Sequence, residues 1–236
     1  MVRTAALLNF RKRKESPAEE DLPLNRARYV VIDTELTGLD EKKDSIVSMA
    51  AIRMTGGAID LENIFTRVVN PASSLSAESV VIHGITPSET AGKPSIEDAL
   101  SEFARFCRDD LLVGHCVSID LTFINKEMKR AFGSGLGNPA LDTSAIYAWI
   151  VKRSPEKAFP RSFSGSGLYE IASYFGIPVS GAHDAVMDAF ITAQVFQRFI
   201  PILIERGVED VGDLLRIGHP SRGGENGRLS GEMYGL

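Results

Sequence analysis

The stretch Tyr29-Val-Val-Ile-Asp-Thr-Glu35 decides the fold. Its first four residues are β-branched or aromatic, which is typical of a strand buried at the centre of a sheet. Asp33 and Glu35 follow at a spacing of two, so on a strand their carboxylates project to the same side. Two carboxylates held close together repel, and burial disfavours their ionised forms, so the pattern indicates a compensating partner such as a divalent cation. The alternative is that the strand ends here and both acids are solvated.

Outward from this strand, the chain predicts an α/β fold with a mixed sheet. Two further strands, at residues 45–54 and 63–70, are joined through the turn Gly56-Gly57 and form an antiparallel meander with the first. Residues 71–94 are predicted to be a long connection. Beyond it, short apolar strands alternate with helical periodicity. The predicted elements are a helix at 95–106, a strand at 111–114, a helix at 120–132, a strand-to-helix segment at 141–151, and helices at 167–175 and 182–199. This order predicts parallel strands added to a three-strand antiparallel meander, with helices flanking the sheet.

Charge divides the 236 residues into unequal parts. Residues 1–28 carry seven basic and four acidic side chains, a net of +3, and are predicted to be a flexible basic extension. The remainder carries 19 basic and 27 acidic side chains, a net of −8. The compact domain is predicted at residues 29–204, followed at 205–236 by a short helix and a disordered tail. A domain this acidic is a poor candidate for coating long duplex nucleic acid, but it can act on phosphates if divalent cations occupy an acidic pocket.

Composition also narrows the cellular setting. No stretch reaches about 18 consecutive apolar residues, so no membrane span is predicted. The apolar run at residues 5–10 is too short for a secretion signal, and its positive charges follow it. The two cysteines, Cys107 and Cys116, make no disulfide framework and favour a reducing compartment. We therefore expect a cytoplasmic protein.

Three more polar residues fall at predicted element ends or on core-facing positions. Asp120 begins a helix just after the strand at 111–114, and Asp188 lies beside the apolar stripe of the last long helix. An acid next to a core-facing stripe is unusual without a partner. His183 precedes Asp188 by five residues, near the predicted helix start. Taken alone, this histidine is explained by a local hydrogen bond, but together with the acids it indicates a polar site.

Four segments, in this order, resemble the motifs of the DEDDh 3′-to-5′ exonucleases, and within that family the proofreading epsilon subunits of bacterial DNA polymerase III. They are Val30-Val-Ile-Asp-Thr-Glu-Leu-Thr-Gly-Leu39, Ile82-His-Gly-Ile-Thr86, Val113-Gly-His-Cys-Val-Ser-Ile-Asp-Leu-Thr-Phe-Ile124 and Ala182-His-Asp-Ala-Val-Met-Asp-Ala189. The resemblance covers about residues 29–200. Leu141-Asp142-Thr143 also matches a family segment, where its role is structural.

The resemblance implies a ribonuclease H-like fold and a site for two divalent ions, Mg²⁺ or Mn²⁺. By position, Asp33 would bridge both ions. Glu35 and Asp188 would complete the site of the ion that activates water, and Asp120 would support the second ion. His183 would accept the proton from the attacking water, a role open to histidine near neutral pH.

The same resemblance implies where the substrate lies. Leu36, Thr37 and Gly38 would contact the terminal sugar and its 3′-hydroxyl, and His83 would lie near the terminal base. His115 matches a position that contacts the nucleotide. Its alternative is a histidine satisfied by hydrogen bonds at a strand end.

Some positions depart from the family pattern. Ser48-Met-Ala50 stands where Glu-Ile-Gly is frequent, Cys116 replaces a common Asn, and Ile119 a common Phe. For Cys116 a buried, inert cysteine is favoured over a reactive thiol. The basic lead at residues 1–28 is not part of the epsilon pattern.

The sequence therefore predicts a 3′-to-5′ exonuclease that releases nucleoside 5′-monophosphates from DNA ends by two-metal-ion hydrolysis, with single-stranded DNA favoured. One alternative is an RNA-directed exonuclease of the same family, because the acids alone do not read the 2′-hydroxyl. Another is a catalytically silent nucleic-acid-binding or scaffold module. In a third, the basic extension tethers the domain to nucleic acid, a membrane surface, a polymerase or another protein.

Overall fold

A five-stranded mixed sheet forms the centre of the protein. The computed structural model describes residues 20–155 and 167–220. The strands are β1 (Arg28–Leu36), β2 (Ile46–Thr55), β3 (Ala58–Val68), β4 (Leu111–Gly114) and β5 (Ala140–Asp142), in the spatial order β3-β2-β1-β4-β5. The first three strands pair antiparallel, whereas β4 lies parallel to β1 and β5 parallel to β4. The predicted mixed sheet is therefore confirmed.

Helices cover both faces of this sheet. They are α1 (Ala77–His83), α2 (Pro87–Thr90), α3 (Ile96–Cys107), α4 (Ser118–Phe132), α5 (Thr143–Lys152), α6 (Leu168–Tyr174), α7 (Ala185–Glu205) and α8 (Val211–Ile217). The side chains of β1 alternate between the two layers. Tyr29 and Val31 pack in the core beneath α5 to α8, whereas Val30 and Ile32 pack in the core beneath α3 and α4. This alternation fixes which layer each later β1 side chain faces.

The predicted connection at residues 71–94 contains two short helices. Ser76 begins α1 as its N-cap, because its side chain accepts a hydrogen bond from the Ser79 N–H. Gly84 ends that helix in a left-handed conformation, with φ of 74°. These two short helices carry too little apolar periodicity to be detected in the sequence of this segment.

The long helix α7 begins three residues later than predicted. Gly181 and His183 have positive φ, which no helix accommodates, so residues 181–183 stay outside it. Asp184 caps the helix by accepting hydrogen bonds from the N–H groups of Val186 and Met187. His183 therefore lies in a loop, not in the first turn of a helix.

The β2–β3 hairpin turns at Gly56-Gly57 as predicted, but β3 begins directly after it at Ala58. Gly56 has φ of 53°, and a Cβ there would lie 2.4 Å from the carbonyl oxygen of Asn25. Only glycine fits both the conformation and the space. The segment before β1 is thus pressed against this turn.

The folded unit extends beyond the predicted limits of residues 29 and 204. Leu24 and Ala27 are fully buried in the main core, and the Gly56 N–H donates to the Ala27 carbonyl at 2.9 Å. Pro23 forms a β-bridge with Asp210, just before α8. Residues 20–28 and α8 therefore pack together as part of the fold. Residues 1–19 of the predicted basic extension and residues 221–236 of the predicted C-terminal tail lie outside the described residues.

Within the two described ranges, α7 is long and apolar enough to cross a membrane by length and composition. More than half of the apolar stretch is buried, and its inner face packs against β1 and β2. The same length and composition suit the central core helix that it forms here.

Because Leu24 is 1% exposed, Leu24→Ala should lower the free energy of unfolding by about 2–5 kcal/mol. Urea denaturation measures this change. Leu61→Ala is the matched control, because Leu61 is 59% exposed and its truncation should stay within about 0.5 kcal/mol. Equal stability of the Leu24 variant and the wild type would show that residues 20–28 are a dispensable extension after all.

Candidate active site

Three carboxylates converge at the carboxyl end of the central strand. Asp33 and Glu35 lie on β1 on the same side as Tyr29 and Val31, the side covered by α7, and Asp188 lies in the first turn of that helix. One oxygen from each of the three side chains lies within 4.8 Å of the others. The predicted shared side of Asp33 and Glu35 is confirmed. We call these three residues the carboxylate triad.

Electrostatics makes this group costly in the absence of a cation. Burial, then the neighbouring carboxylates of Asp120, Glu35 and Asp188, hold the pKa of Asp33 well above its usual range. Burial first, and Asp188 next, raise the pKa of Glu35 to about 8. Burial likewise raises the pKa of Asp188. The group therefore retains protons near neutral pH, or requires positive charge.

Asp188 uses its two oxygens differently. Oδ2 accepts a hydrogen bond from the Tyr169 hydroxyl at 2.7 Å and from the His183 N–H at 3.1 Å. Oδ1 is buried and has no hydrogen-bond partner among the described residues. A buried oxygen without a partner is expensive unless a ligand engages it.

Asp120 approaches from the other layer of the molecule. It lies in the first turn of α4, and its Oδ1 accepts a hydrogen bond from the Thr34 hydroxyl at 2.6 Å. Thr34 lies between the two β1 acids and projects to the opposite side. Burial raises the pKa of Asp120 to about 7, although the Thr34 hydrogen bond opposes this shift. Asp120 raises the pKa of Asp33 but is not one of the three residues of the carboxylate triad.

His183 lies directly beside Asp188 in a strained backbone conformation. Its φ is 63°, which is uncommon for a residue other than glycine. Its N–H points to both the Tyr169 hydroxyl and Asp188 Oδ2, at 3.1 Å each. Its imidazole meets the Tyr169 ring edge to face, with 5.7 Å between the ring centroids.

His83, the last residue of α1, lies close enough to His183 to be influenced by it. Burial and then the charge of His183 lower the pKa of His83. The His83 Nδ1 accepts a hydrogen bond from the Ile85 N–H at 3.0 Å, so its Nε2 carries the ring proton. That buried Nε2 has no hydrogen-bond partner in the part of the chain that the structure describes.

His115, which directly follows β4, has a structural partner in Thr143 at the start of α5. Its Nδ1 lies 2.9 Å from the Thr143 hydroxyl, which in turn lies 3.2 Å from the Gly114 carbonyl. This contact favours the alternative of a satisfied histidine. The nearby Asp142 caps α5 and accepts the Cys116 N–H at 3.0 Å, a structural role as the family resemblance implied.

Cys116 is held as an unreactive thiol. Burial, reinforced by Asp142, raises its pKa to about 11. Its thiolate is therefore scarce at neutral pH, as expected for an inert cysteine, but Cys116 is half-buried and not fully buried as predicted.

The residues that follow Glu35 form a rigid turn. The buried Thr37 hydroxyl donates to Asp44 Oδ1 at 2.9 Å and accepts from the Ser45 N–H at 3.0 Å. A Cβ at Gly38 would lie 2.5 Å from Asp44 Oδ2, so a larger residue would have to displace the Asp44 carboxylate. Leu36 packs partly into the core beneath α3 and α4. These contacts hold the loop in one shape beside the carboxylate triad.

Three residues of this site escaped the sequence reasoning. Tyr169 and Thr34 each donate to a carboxylate, and Asp184, the α7 cap, raises the pKa of both Asp33 and Glu35. Thr34 was detectable in principle, since on a strand it projects opposite its acidic neighbours. Tyr169 gave no such signal, because it lies in a short helix far along the chain.

The sheet order and the helices on both faces define a ribonuclease H-like fold, and the carboxylates lie at the end of its central strand. The chain belongs to the RNase T-type exonuclease family, whose profile, described as Exonuclease, matches residues 30–196. It is thus a 3′-to-5′ exonuclease, a phosphodiester hydrolase, and the predicted class of enzyme is confirmed.

Relatives in sequence support this assignment. The chain is 35% identical over 190 residues to the DNA polymerase III subunit epsilon of Aquifex aeolicus, which covers 80% of this chain and 89% of that protein. It is 31% identical over 198 residues to the PolC-type DNA polymerase III of Thermotoga maritima, but spans 14% of that protein's length.

Solved structures share the fold. Escherichia coli exonuclease I in complex with a dT13 oligonucleotide superposes with a TM-score of 0.66 at 20% identity, over 77% of this chain and 42% of that one. Exonuclease X in complex with 5′ overhanging duplex DNA gives a TM-score of 0.58 at 22% identity, over 80% of this chain and 98% of that one. This chain thus spans less than half of exonuclease I.

The raised pKa of Glu35 predicts how the metal-free protein responds to pH. A carboxyl whose folded pKa is about 8 binds more protons folded than unfolded, so its destabilising effect grows as pH rises from about 4.5 to about 8. In EDTA, Glu35→Gln should raise the unfolding free energy by about 2–4 kcal/mol above pH 8, and the gain should vanish near pH 4.

Urea denaturation across pH measures this gain. Glu62→Gln is the matched control, because Glu62 is exposed on β3 and its change should stay within about 0.5 kcal/mol. A Glu35 variant that is less stable than the wild type at high pH would contradict the charge repulsion.

Proposed function

We propose that the protein removes nucleoside 5′-monophosphates one at a time from DNA 3′ ends, with single-stranded or frayed termini preferred and with Mg²⁺ or Mn²⁺ as cofactor. The observation that carries this proposal is the carboxylate triad, in which one buried oxygen, Asp188 Oδ1, has no hydrogen-bond partner in the described chain. Family membership supports the reaction, and this geometry supports these residues as the place where it occurs.

The donor set fits hard divalent cations. Carboxylate oxygens are the ligands that Mg²⁺ and Mn²⁺ prefer, and their mutual repulsion is removed when a cation binds. Asp33, Glu35 and Asp188 would hold one ion, and Asp120 would support a second ion together with Asp33. Bound ions of this kind polarise the phosphate and lower the pKa of a bound water.

His183 is proposed as the general base. It lies beside Asp188, and its half-buried imidazole is held against the Tyr169 ring. A histidine in this position can take the proton of the attacking water at its ring nitrogen. The bonds of its backbone to Asp188 and Tyr169 fix the loop that carries it.

The substrate terminus is proposed to lie over the turn at residues 36–38. The fixed Leu36-Thr37-Gly38 loop would receive the terminal sugar and its 3′-hydroxyl. The buried His83 Nε2–H is a hydrogen-bond donor without a partner in the described chain, which suits a nucleotide acceptor atom. His115 is also proposed to contact the nucleotide, although its Nδ1 already lies 2.9 Å from the Thr143 hydroxyl.

The relatives suggest the setting. One of them is a subunit of DNA polymerase III, and exonuclease I binds single-stranded dT13. We propose that the protein works in the cytoplasm on single-stranded DNA, and that a polymerase or another protein docks through the terminal segments.

The reaction is tested with oligonucleotides labelled at either end. With Mg²⁺ or Mn²⁺, DNA should be shortened from the 3′ end to mononucleotides, EDTA should stop digestion, and a 3′-phosphate should slow it. Internal fragments as first products would contradict the exonuclease, and undiminished digestion in EDTA would contradict the metal site. An RNA oligonucleotide of the same sequence is the matched comparison. Faster digestion of RNA would establish the RNA-directed alternative, and no digestion of either would establish the silent module.

The base is tested with two variants of His183. His183→Ala should lower single-turnover rates about 10²–10⁴-fold, the usual range for loss of a general acid–base group. His183→Asn should lose as much activity with less strain, because Asn tolerates positive φ. Metal binding, followed by calorimetry, should persist in both. Wild-type turnover in either variant would show that His183 is structural, and loss of metal binding would show that it is a ligand.

A further inference from the structure

Tyr169 connects the two residues that the proposed mechanism needs side by side. It is the second residue of α6, and its ring packs at the edge of the main core, where Ile171 and Ala172 of the same helix are buried. Its hydroxyl donates to Asp188 Oδ2 at 2.7 Å and accepts from the His183 N–H at 3.1 Å. One hydroxyl thus bridges a carboxylate and the backbone of the proposed base.

The first consequence concerns Asp188. Its Oδ2 is occupied by two donors, the Tyr169 hydroxyl and the His183 N–H. Its Oδ1 is the buried atom without a partner in the described chain. Because rotation of the carboxylate out of this plane would break the bonds to Oδ2, Tyr169 helps to hold Asp188 with one of its two equivalent oxygens left without a partner in the described chain.

The second consequence concerns His183. A left-handed backbone is strained for a residue with a side chain, so this conformation needs support. The N–H of His183 is shared between the Tyr169 oxygen and Asp188, and its imidazole rests against the Tyr169 ring. Tyr169 therefore stabilises both the backbone turn and the ring orientation.

We propose that Tyr169 is a positioning residue, which holds His183 and Asp188 in a single hydrogen-bonded unit and so aligns the base with the metal-facing oxygen. The inference rests on the proposed roles of His183 and Asp188. It assigns to Tyr169 no contact with the substrate, so its effect should appear in turnover and metal binding.

Tyr169→Phe removes the hydroxyl and keeps the ring. Mutation of a residue that hydrogen-bonds to a metal ligand and orients it typically lowers metal affinity or activity about 10–100-fold. We expect single-turnover rates to fall, and Mn²⁺ binding measured by calorimetry to weaken, each within that range. KM for a single-stranded oligonucleotide should change less than about threefold, because no substrate contact is lost. Tyr169→Leu, which also removes the ring, should lower turnover further.

The matched control is Tyr174→Phe, at the other end of α6, where the side chain is 40% exposed. It should leave rate and Mn²⁺ affinity unchanged. Wild-type turnover and Mn²⁺ affinity in Tyr169→Phe would overturn the inference. A rise in KM alone would also overturn it, because that result would place Tyr169 in the substrate site.

Amide hydrogen exchange on the unaltered protein provides a test that depends on no variant. The His183 amide should exchange more slowly than its loop neighbours, because two oxygens accept its N–H. Rapid exchange at His183 would overturn the hydrogen-bonded unit even if both Tyr169 variants failed to fold. The wild type digested with and without EDTA separates the two levels. Metal-independent digestion rejects the proposed function, whereas metal-dependent digestion with an unaffected Tyr169→Phe rejects only this inference.

Discussion

The repulsion between carboxylates gathered at the end of a buried strand is the constraint on which the rest of the structure depends. β1 is covered on both faces over residues 29–32, so its last residues emerge between two layers of helices. Asp33 and Glu35 face α7, and the intervening Thr34 faces α4. A single strand thus directs acids into one layer and a hydroxyl into the other. The raised pKa values of Asp33 and Glu35 reflect the cost of keeping these acids ionised together, which a bound cation would offset.

Two hydroxyls, one on each side of the sheet, hold the carboxylates of Asp120 and Asp188. Thr34 donates to Asp120 from the β1 strand, and Tyr169 donates to Asp188 from α6. Each bond favours the ionised carboxylate and opposes the rise in its pKa that burial causes. Neither hydroxyl neutralises charge, so the requirement for a cation persists. In the proposed site, the hydroxyls would orient the carboxylates and the bound cation would compensate their charge.

Much of this arrangement was predictable from the sequence, because it follows from periodicity. The apolar run before Asp33, the spacing of two to Glu35 and the glycine turn at residues 56–57 each have a local physical meaning. The limits of the fold were not predictable in that way. Leu24 lies in a polar segment, and its burial depends on the distant α8 and the β2–β3 turn, which no local pattern reveals. Tyr169 escaped for the same reason, since its partners are 14 and 19 residues away in a different element.

The position of His183 shows why it matters for function that α7 begins at Ala185 and not at residue 182, as the sequence predicted. In a regular helix, residue 183 would lie five residues before Asp188, more than one turn away and rotated off its face. With φ of 63°, the chain instead folds back so that the His183 N–H reaches Asp188 itself. Asp184 then starts the helix by capping Val186 and Met187, so the strain is confined to one residue. The left-handed turn therefore places the proposed base, His183, beside the proposed metal ligand, Asp188, an arrangement that helical continuation through residue 183 would prevent.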